Sequence, residues 1–342
     1  MNKIINKFSK ELSYLTGRYT LRPEFLSLII TRSCNFRCQT CSIWQNTHGE
    51  ELKEANWKKI VVALSRRLRA NTFVEINGGE PLIRKSLALF LIRELKKYFY
   101  KVALNSNGLL IDEQILDQLK GADLDIIKIS FYSLNEQIHN GLRGHDLAYS
   151  RAKKAIKLIN QRQIALEVGL LITANNIKDA PSLIKYLQAL PNTSIILQPL
   201  DEKIESKESK NQADNYLISG LWPAAEDVNK FFDWVWRNNR YIKNSSVNIE
   251  AIRQYYLNPK NILKYRCFAG QRNLVIYPNG DAAFCFKGKV IGNIEKQSLK
   301  EILKNANLER KKAKRCKKYC RIIGCNFSRG LKEYLRDKLT NK

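Results

Sequence analysis

Three cysteines fall within eight residues of this chain: Cys34, Cys38 and Cys41, in Thr31-Arg-Ser-Cys-Asn-Phe-Arg-Cys-Gln-Thr-Cys-Ser-Ile-Trp44. Thiolates this crowded rarely serve packing alone. Three of them suit a four-iron cluster in which one iron stays open to bind a small molecule, because cysteine thiolates are the usual anchors of such clusters. Zinc sites instead pair cysteines two to four apart and close a tetrahedron with a second pair or with histidines. No fourth ligand stands nearby, and His48, His139 and His145 are scattered. A structural zinc completed by a distant residue is the competing reading.

A second group, Cys267, Cys285, Cys316, Cys320 and Cys325, lies toward the carboxyl end. Pro278-Asn279-Gly280-Asp281 between apolar runs reads as a hairpin turn that brings Cys267 and Cys285 together. Zinc competes here too. The cysteines sit in two tight groups in a chain whose first seventeen residues lack the apolar core of a signal peptide, which predicts reduced, metal-binding thiols and a cytoplasmic protein. No apolar run approaches the roughly 18 residues of a membrane span.

The elements that must position these groups alternate. Strand candidates are 26–31, 73–76, 102–105, 126–131, 165–173 and 194–198, with helical periodicity between them, as in Trp57, Ile60, Val61 and Leu64 and then Leu87, Leu91 and Leu95. Pro181 is expected in the first turn of the helix before Leu190. Repeated β-then-α units predict parallel strands with crossover helices, and in a parallel barrel the chemistry gathers in loops at the strands' carboxyl ends. The unusual residues keep that phase: the first cysteines follow strand one, Gly78-Gly79-Glu80-Pro81 follows strand two, Asn105 to Gly108 closes strand three and Ser130 ends strand four. The polar stretch 201–215 reads as a loop, and the aromatic helix after it, with Phe231, Phe232, Trp234 and Trp236, as core.

Cys34-Asn-Phe-Arg-Cys38-Gln-Thr-Cys41, with Gly78-Gly79-Glu80-Pro81 some forty residues later, resembles the signature of the radical S-adenosylmethionine (SAM) enzymes over about residues 22–200. The resemblance implies an α/β protein with a partial (β/α)6, TIM-like barrel. It also implies a [4Fe-4S] cluster on Cys34, Cys38 and Cys41, whose open iron takes the amino and carboxylate groups of SAM. One electron then cleaves the sulfonium, and the 5'-deoxyadenosyl radical removes hydrogen from a substrate. By the same resemblance Gly79 allows close backbone approach and Glu80 accepts from the SAM ammonium, while Asn105 and Ser130 lie at ribose or methionine contacts and Arg143 holds the carboxylate. Two positions depart from the family. Thr40 stands where relatives carry an aromatic, which removes an adenine-stacking group, and Ser130-Phe-Tyr-Ser133 lacks the aspartate often found two after the serine. Tyr132 there is either a substrate contact or a packing residue.

The later cysteines resemble the SPASM domains, or their shortened twitch form, that carry auxiliary clusters in these enzymes. A full SPASM domain needs about seven cysteines and five are present, which implies one auxiliary [4Fe-4S] cluster held by Cys267, Cys285 and two of Cys316, Cys320 and Cys325. The expected organisation is a basic N-terminal segment (1–21), the barrel (22–200), a linker with helices (201–262) and the cysteine-rich module (263–342).

Lysine and arginine exceed aspartate and glutamate by 27 charges, which favours anionic partners at low salt. The densest run, Lys311 to Arg321, surrounds cysteines rather than aromatics, so a stacking platform for single strands is not indicated; around a cluster of net charge near −2 those cations act as counter-charge. The leading expectation is an enzyme acting on a small molecule or peptide and reduced by a donor such as flavodoxin or ferredoxin. About 24 residues precede the barrel, which favours a small molecule over a peptide. The alternatives are SAM-dependent modification of RNA or a nucleotide, and a zinc-containing nucleic-acid-binding protein.

Overall fold

A computed structural model describes residues 8, 11, 12, 14–16, 22–45, 49–200 and 220–322. The polar stretch 201–215 and Cys325 lie outside the described residues. All six expected strands form, with ends moved by at most two residues: β1 Phe25–Ile29, β2 Phe73–Asn77, β3 Lys101–Ser106, β4 Ile126–Ser130, β5 Ala165–Leu171 and β6 Thr193–Gln198. They pair in sequence order and in parallel.

Helices cross between them: α1 Glu54–Ser65, α2 Lys85–Lys96, α3 Glu113–Gly121, α4 Glu136–Arg143, α5 Ala148–Gln161 and α6 Ala180–Gln188. The sequence fixes their ends locally. Asp112 and Asn135 cap α3 and α4 by accepting from the amides of Ile115 and Ile138, and Pro181 opens α6. Their apolar stripes, including Trp57, Ile60 and Leu64 on α1, cover the outward side chains of the strands, among them Leu26, Leu28, Val74, Ile76, Ile127 and Val168. Each fully buried side chain of this kind contributes about 1.5–3 kcal/mol.

The barrel is open. Its β1 edge pairs in parallel with β7 Asn273–Ile276, which turns at Gly280 (φ +83°) into β8 Asp281–Ala283 and then β9 Gly292–Asn293. The cysteine-rich module thus extends the barrel sheet. The β6 edge receives a short bridge from residues 241–243, where Ile195 N donates to Tyr241 O and Lys243 N to Ile195 O. After β6 come α7 Ala225–Arg237 and α8 Ser246–Leu257. Phe231 and Phe232 of α7 are core as expected, but Trp236 is 39% exposed: at helical spacing it falls on the opposite face. Past the hairpin come α9 Leu299–Asn305, whose first turn Ser298 caps by accepting from the Glu301 amide, and α10 Asn307–Lys314.

Period-two alternation gives the strands an unlike inner face. Glu75, Asn77, Asn105, Lys128, Ser130 and Glu167 point into the lumen, opposite the apolar set. Lys128 ion-pairs with Glu75 and with Glu167 at 2.6 Å, and Lys243 reaches the other oxygen of Glu167 at 2.8 Å. Burial works against the Lys128 charge, but the two carboxylates outweigh it and push its pKa up to about 12.

Candidate active site and cluster-binding loops

The cysteine loop leaves β1 and is held from three directions. From β2, Gly79 N donates to Thr31 O and Glu80 N to Ser33 O, both at 2.9 Å. A Cβ at Gly79 would lie 2.2 Å from Ser33 O, so only glycine admits this approach. Behind the loop, Glu51 accepts from Thr31 Oγ1 and Arg32 N, while Arg84 donates to the carbonyls of Ile30 and Leu52. From β4, the end of α4 presses on the loop: Gln39 N donates to Leu142 O, and Gly144, at φ +62°, packs where a Cβ would stand 2.2 Å from Arg37 O. The motif did not single out Gly144, Glu51 or Arg84. A glycine directly after a helix is the one local signal among them.

Within the loop, Cys34, Cys38 and Cys41 cluster around buried Phe36. Phe36 N donates to Cys34 Sγ at 3.4 Å, Trp44 Nε1 to Cys41 O at 2.8 Å and Asn107 Nδ2 to Asn35 Oδ1 at 2.6 Å. Burial pushes the Cys34 thiol up to about 11, so a metal must displace its proton. Among the described residues no three His, Cys, Asp or Glu side chains converge on one ion. The donor set suits a cluster better, because a cubane spreads its cysteines over different irons.

Glu80 is fully buried. Its Oε1 accepts from Leu82 N and Ser106 Oγ and its Oε2 from Asn107 N, which ties the β2 and β3 loops together. Burial pushes its carboxyl up, and a carboxylate's roughly four acceptor sites leave capacity on Oε2. Asn105 donates to Asn77 Oδ1, and Asn77 donates to Ser27 Oγ at 2.6 Å. Ser130 stands at the carboxyl end of β4, half-buried. Arg143 is buried between Phe36 and Tyr132, its carbon 5.3 and 5.1 Å from their ring centres, and donates to Tyr132 Oη at 2.9 Å. Burial opposes its charge, yet the nearby Cys38, Tyr132 and Cys34 groups restore it, and its pKa rises.

Tyr132 is 6% exposed and packed, which decides between its two expected roles. Its carbonyl accepts from Asn176 Nδ2 at 2.7 Å and its amide donates to His139 Nδ1 at 3.1 Å. Burial, helped by the Arg143 cation, lowers the His139 pKa to about 3. The unfolded chain therefore takes up a proton that the fold refuses: stability is fully present above pH 6.5 and declines as pH falls toward 3, by up to about 5 kcal/mol. His139→Asn, which keeps an acceptor for the Tyr132 amide, is expected to remove most of this slope in unfolding titrations at pH 7 and pH 4.5. An unchanged slope would clear His139 as its source.

In the second module Cys267 precedes β7 and Cys285 follows β8, at the same end of the hairpin. Burial raises the Cys285 thiol first and the nearby Cys316 raises it further, while the amides of Lys287 and Gly288 donate to it. Cys320 is buried on the following turn. Tyr14 packs on Phe268 at 4.9 Å between ring centres, and Lys314 Nζ donates to Tyr14 O, so part of the N-terminal segment lies against this module.

An open parallel barrel with cysteines after β1 and a glycine pair after β2 defines a radical SAM enzyme. The chain matches the Radical SAM superfamily over residues 28–187 and an iron-sulfur cluster-binding domain, SPASM, over residues 267–326, and it belongs to the radical SAM superfamily. It is 30% identical over 241 residues to a GTP 3',8-cyclase of Peptoclostridium acidaminophilum, covering 61% of this chain and 73% of that one. With the PqqA peptide cyclase of Granulibacter bethesdensis it shares 27% identity over 173 residues, 50% of this chain and 46% of the cyclase, so it spans less than half of that relative. In fold it is similar to anSMEcpe with bound SAM (TM-score 0.65, 18% identity, covering 93% of this chain and 95% of that one). It is likewise similar to Streptococcus suis SuiB bound to its precursor peptide SuiA (TM-score 0.64, 14% identity, covering 87% and 68%). The family brings a [4Fe-4S] cluster that binds SAM and an auxiliary iron-sulfur cluster, which sets the zinc reading aside. No described helix is long and apolar enough to cross a membrane.

Proposed function

We propose that the protein reductively cleaves SAM at a cluster on Cys34, Cys38 and Cys41 and uses the radical so formed to take hydrogen from an organic substrate, a small molecule or a peptide. The observation that carries this is the joining of the two motifs: Gly79 and Glu80 are hydrogen-bonded to the first turn of the cysteine loop. When bound, the cluster supplies one electron through its open iron. The chain's part is to bind and orient. In this reading the Gly78-Gly79 backbone borders SAM, Glu80 Oε2 accepts from its ammonium, Asn105 and Ser130 meet ribose or methionine, and Arg143 faces the carboxylate. Cys267, Cys285 and two of Cys316, Cys320 and Cys325 hold the auxiliary cluster, and the exposed Lys311, Lys312, Lys317 and Lys318 beside it suit an acidic donor such as flavodoxin or ferredoxin.

A nucleotide substrate is the second reading, favoured by the names of the GTP 3',8-cyclase relatives and by the positive charge. The test of the first is anaerobic reconstitution followed by SAM and dithionite. Formation of 5'-deoxyadenosine is the expected result; brown, iron-loaded protein that leaves SAM intact would refute it.

A further inference from the structure

Tyr14 fastens a helical stretch near the amino end to the cysteine-rich module, and that stretch turns its apolar side outward. The described residues 8, 11, 12 and 14–16 are helical, and Thr16 Oγ1 donates back to Leu12 O at 2.7 Å. On the docked side Tyr14 is buried: its ring packs on Phe268, Lys314 Nζ donates to its carbonyl at 2.8 Å, and Arg266 stands 5.1 Å from its ring centre while pairing with Glu11. Phe8, Leu12 and Leu15, at the i, i+4, i+7 spacing of one helix face, are 58%, 50% and 62% exposed. A helix lying on a globular protein ordinarily buries its apolar stripe. Here the mixed face with Glu11 and Tyr14 is the docked one, and the stripe forms a ridge toward solvent.

The surroundings of the ridge are cationic. Residues 1–21 carry Lys3, Lys7, Lys10 and Arg18 against one acid, Glu11, which Arg266 holds. Through Lys314 the stretch touches α10, where Leu308 is 62% exposed; Lys311 and Lys312, three and four residues on, share its face and are exposed, as is Arg315 at the helix end. We infer that this ridge lies in the interface of an anionic lipid bilayer, with the lysines of α10 against the headgroups, so that the protein rests on a membrane surface without crossing it. A basic amphipathic helix binds there by burying its apolar side chains among the acyl chains while its cations meet the anionic lipids. An outward ridge offers a protein partner no pocket to fill, whereas a bilayer takes a ridge of any shape. A second copy would set one basic surface against another, where like charges repel. An acidic soluble partner would use the lysines but leave Phe8, Leu12 and Leu15 in water.

Co-sedimentation of the full chain with vesicles tests this. Phosphatidylcholine vesicles containing about 30% phosphatidylglycerol should bind at least about tenfold more protein than pure phosphatidylcholine, and about 0.5 M salt should cancel most of the difference. The triple variant Phe8→Gln, Leu12→Gln, Leu15→Gln should lower binding to the anionic vesicles at least about tenfold. These side chains already face solvent, so its fold, iron content and 5'-deoxyadenosine formation should match the parent. Lys311→Ser with Lys312→Ser should lower binding at least about fivefold and flatten its salt dependence. Equal binding to both vesicle types, or binding that the triple variant retains, would overturn the inference. A dimer that the triple variant dissolves, with no vesicle binding by the parent, would overturn it in favour of a second copy. Slower reduction of the triple variant by flavodoxin, with vesicle binding intact, would overturn it in favour of the electron donor.

Discussion

Alanine at Gly144 is expected to strip the reconstituted protein of most of its first cluster, lowering iron from about eight to about four per chain. The left-handed backbone at φ +62° costs a non-glycine residue only about 1–2 kcal/mol. The larger effect is steric, because the new Cβ would stand 2.2 Å from Arg37 O and 2.6 Å from Arg37 C, atoms between Phe36 and Cys38. Backbone cannot swing aside as a flexible side chain does, so the loop must move, and thiols displaced by an ångström no longer meet one cluster. Turnover of SAM should fall at least about a hundredfold. Gly141→Ala is the control: it lies on the same helix, and its Cβ meets nothing within 4 Å. Full iron and turnover in Gly144→Ala would show that α4 does not clamp the loop.

The second expectation crosses two single-thiol variants. Cys38→Ala should retain about four irons, belonging to the auxiliary cluster, and form no detectable 5'-deoxyadenosine. Cys285→Ala should lose the other four or so, yet keep the spectral change that SAM induces in the reduced first cluster. Each variant removes one small, largely buried group, so the folds should survive. Loss of the SAM-induced change in Cys285→Ala and its retention in Cys38→Ala would reverse the assignment of the two cysteine groups.

Much of the scaffold was legible because strand and helix periods are local signals. Leu26, Leu28 and Ile30 alternate with their lumen-facing neighbours, and Trp57, Ile60 and Leu64 recur at helical spacing, so strand order followed from the βα repeat. The hairpin at Pro278 to Asp281 was legible from turn chemistry alone. Its docking was not: that β7 joins β1 depends on which sheet edge is left unpaired, a property of the closed-up chain. Residue type alone groups Trp236 with the core aromatics of α7, whereas helical phase turns it to the opposite, exposed face.

By itself the sequence determined the chemistry on offer: three thiols after the first strand, a glycine pair after the second, and five further cysteines past a hairpin. Those follow from residue type and spacing, which survive in any conformation. Tertiary structure decided what stands against what. It set Gly79 against Ser33 and Gly144 against Arg37, packed Tyr132 beneath Arg143, and joined Glu75, Lys128 and Glu167 across the lumen. These contacts link residues far apart in the chain, and their energies come from close approach and from charges removed from water, neither of which spacing along the chain records.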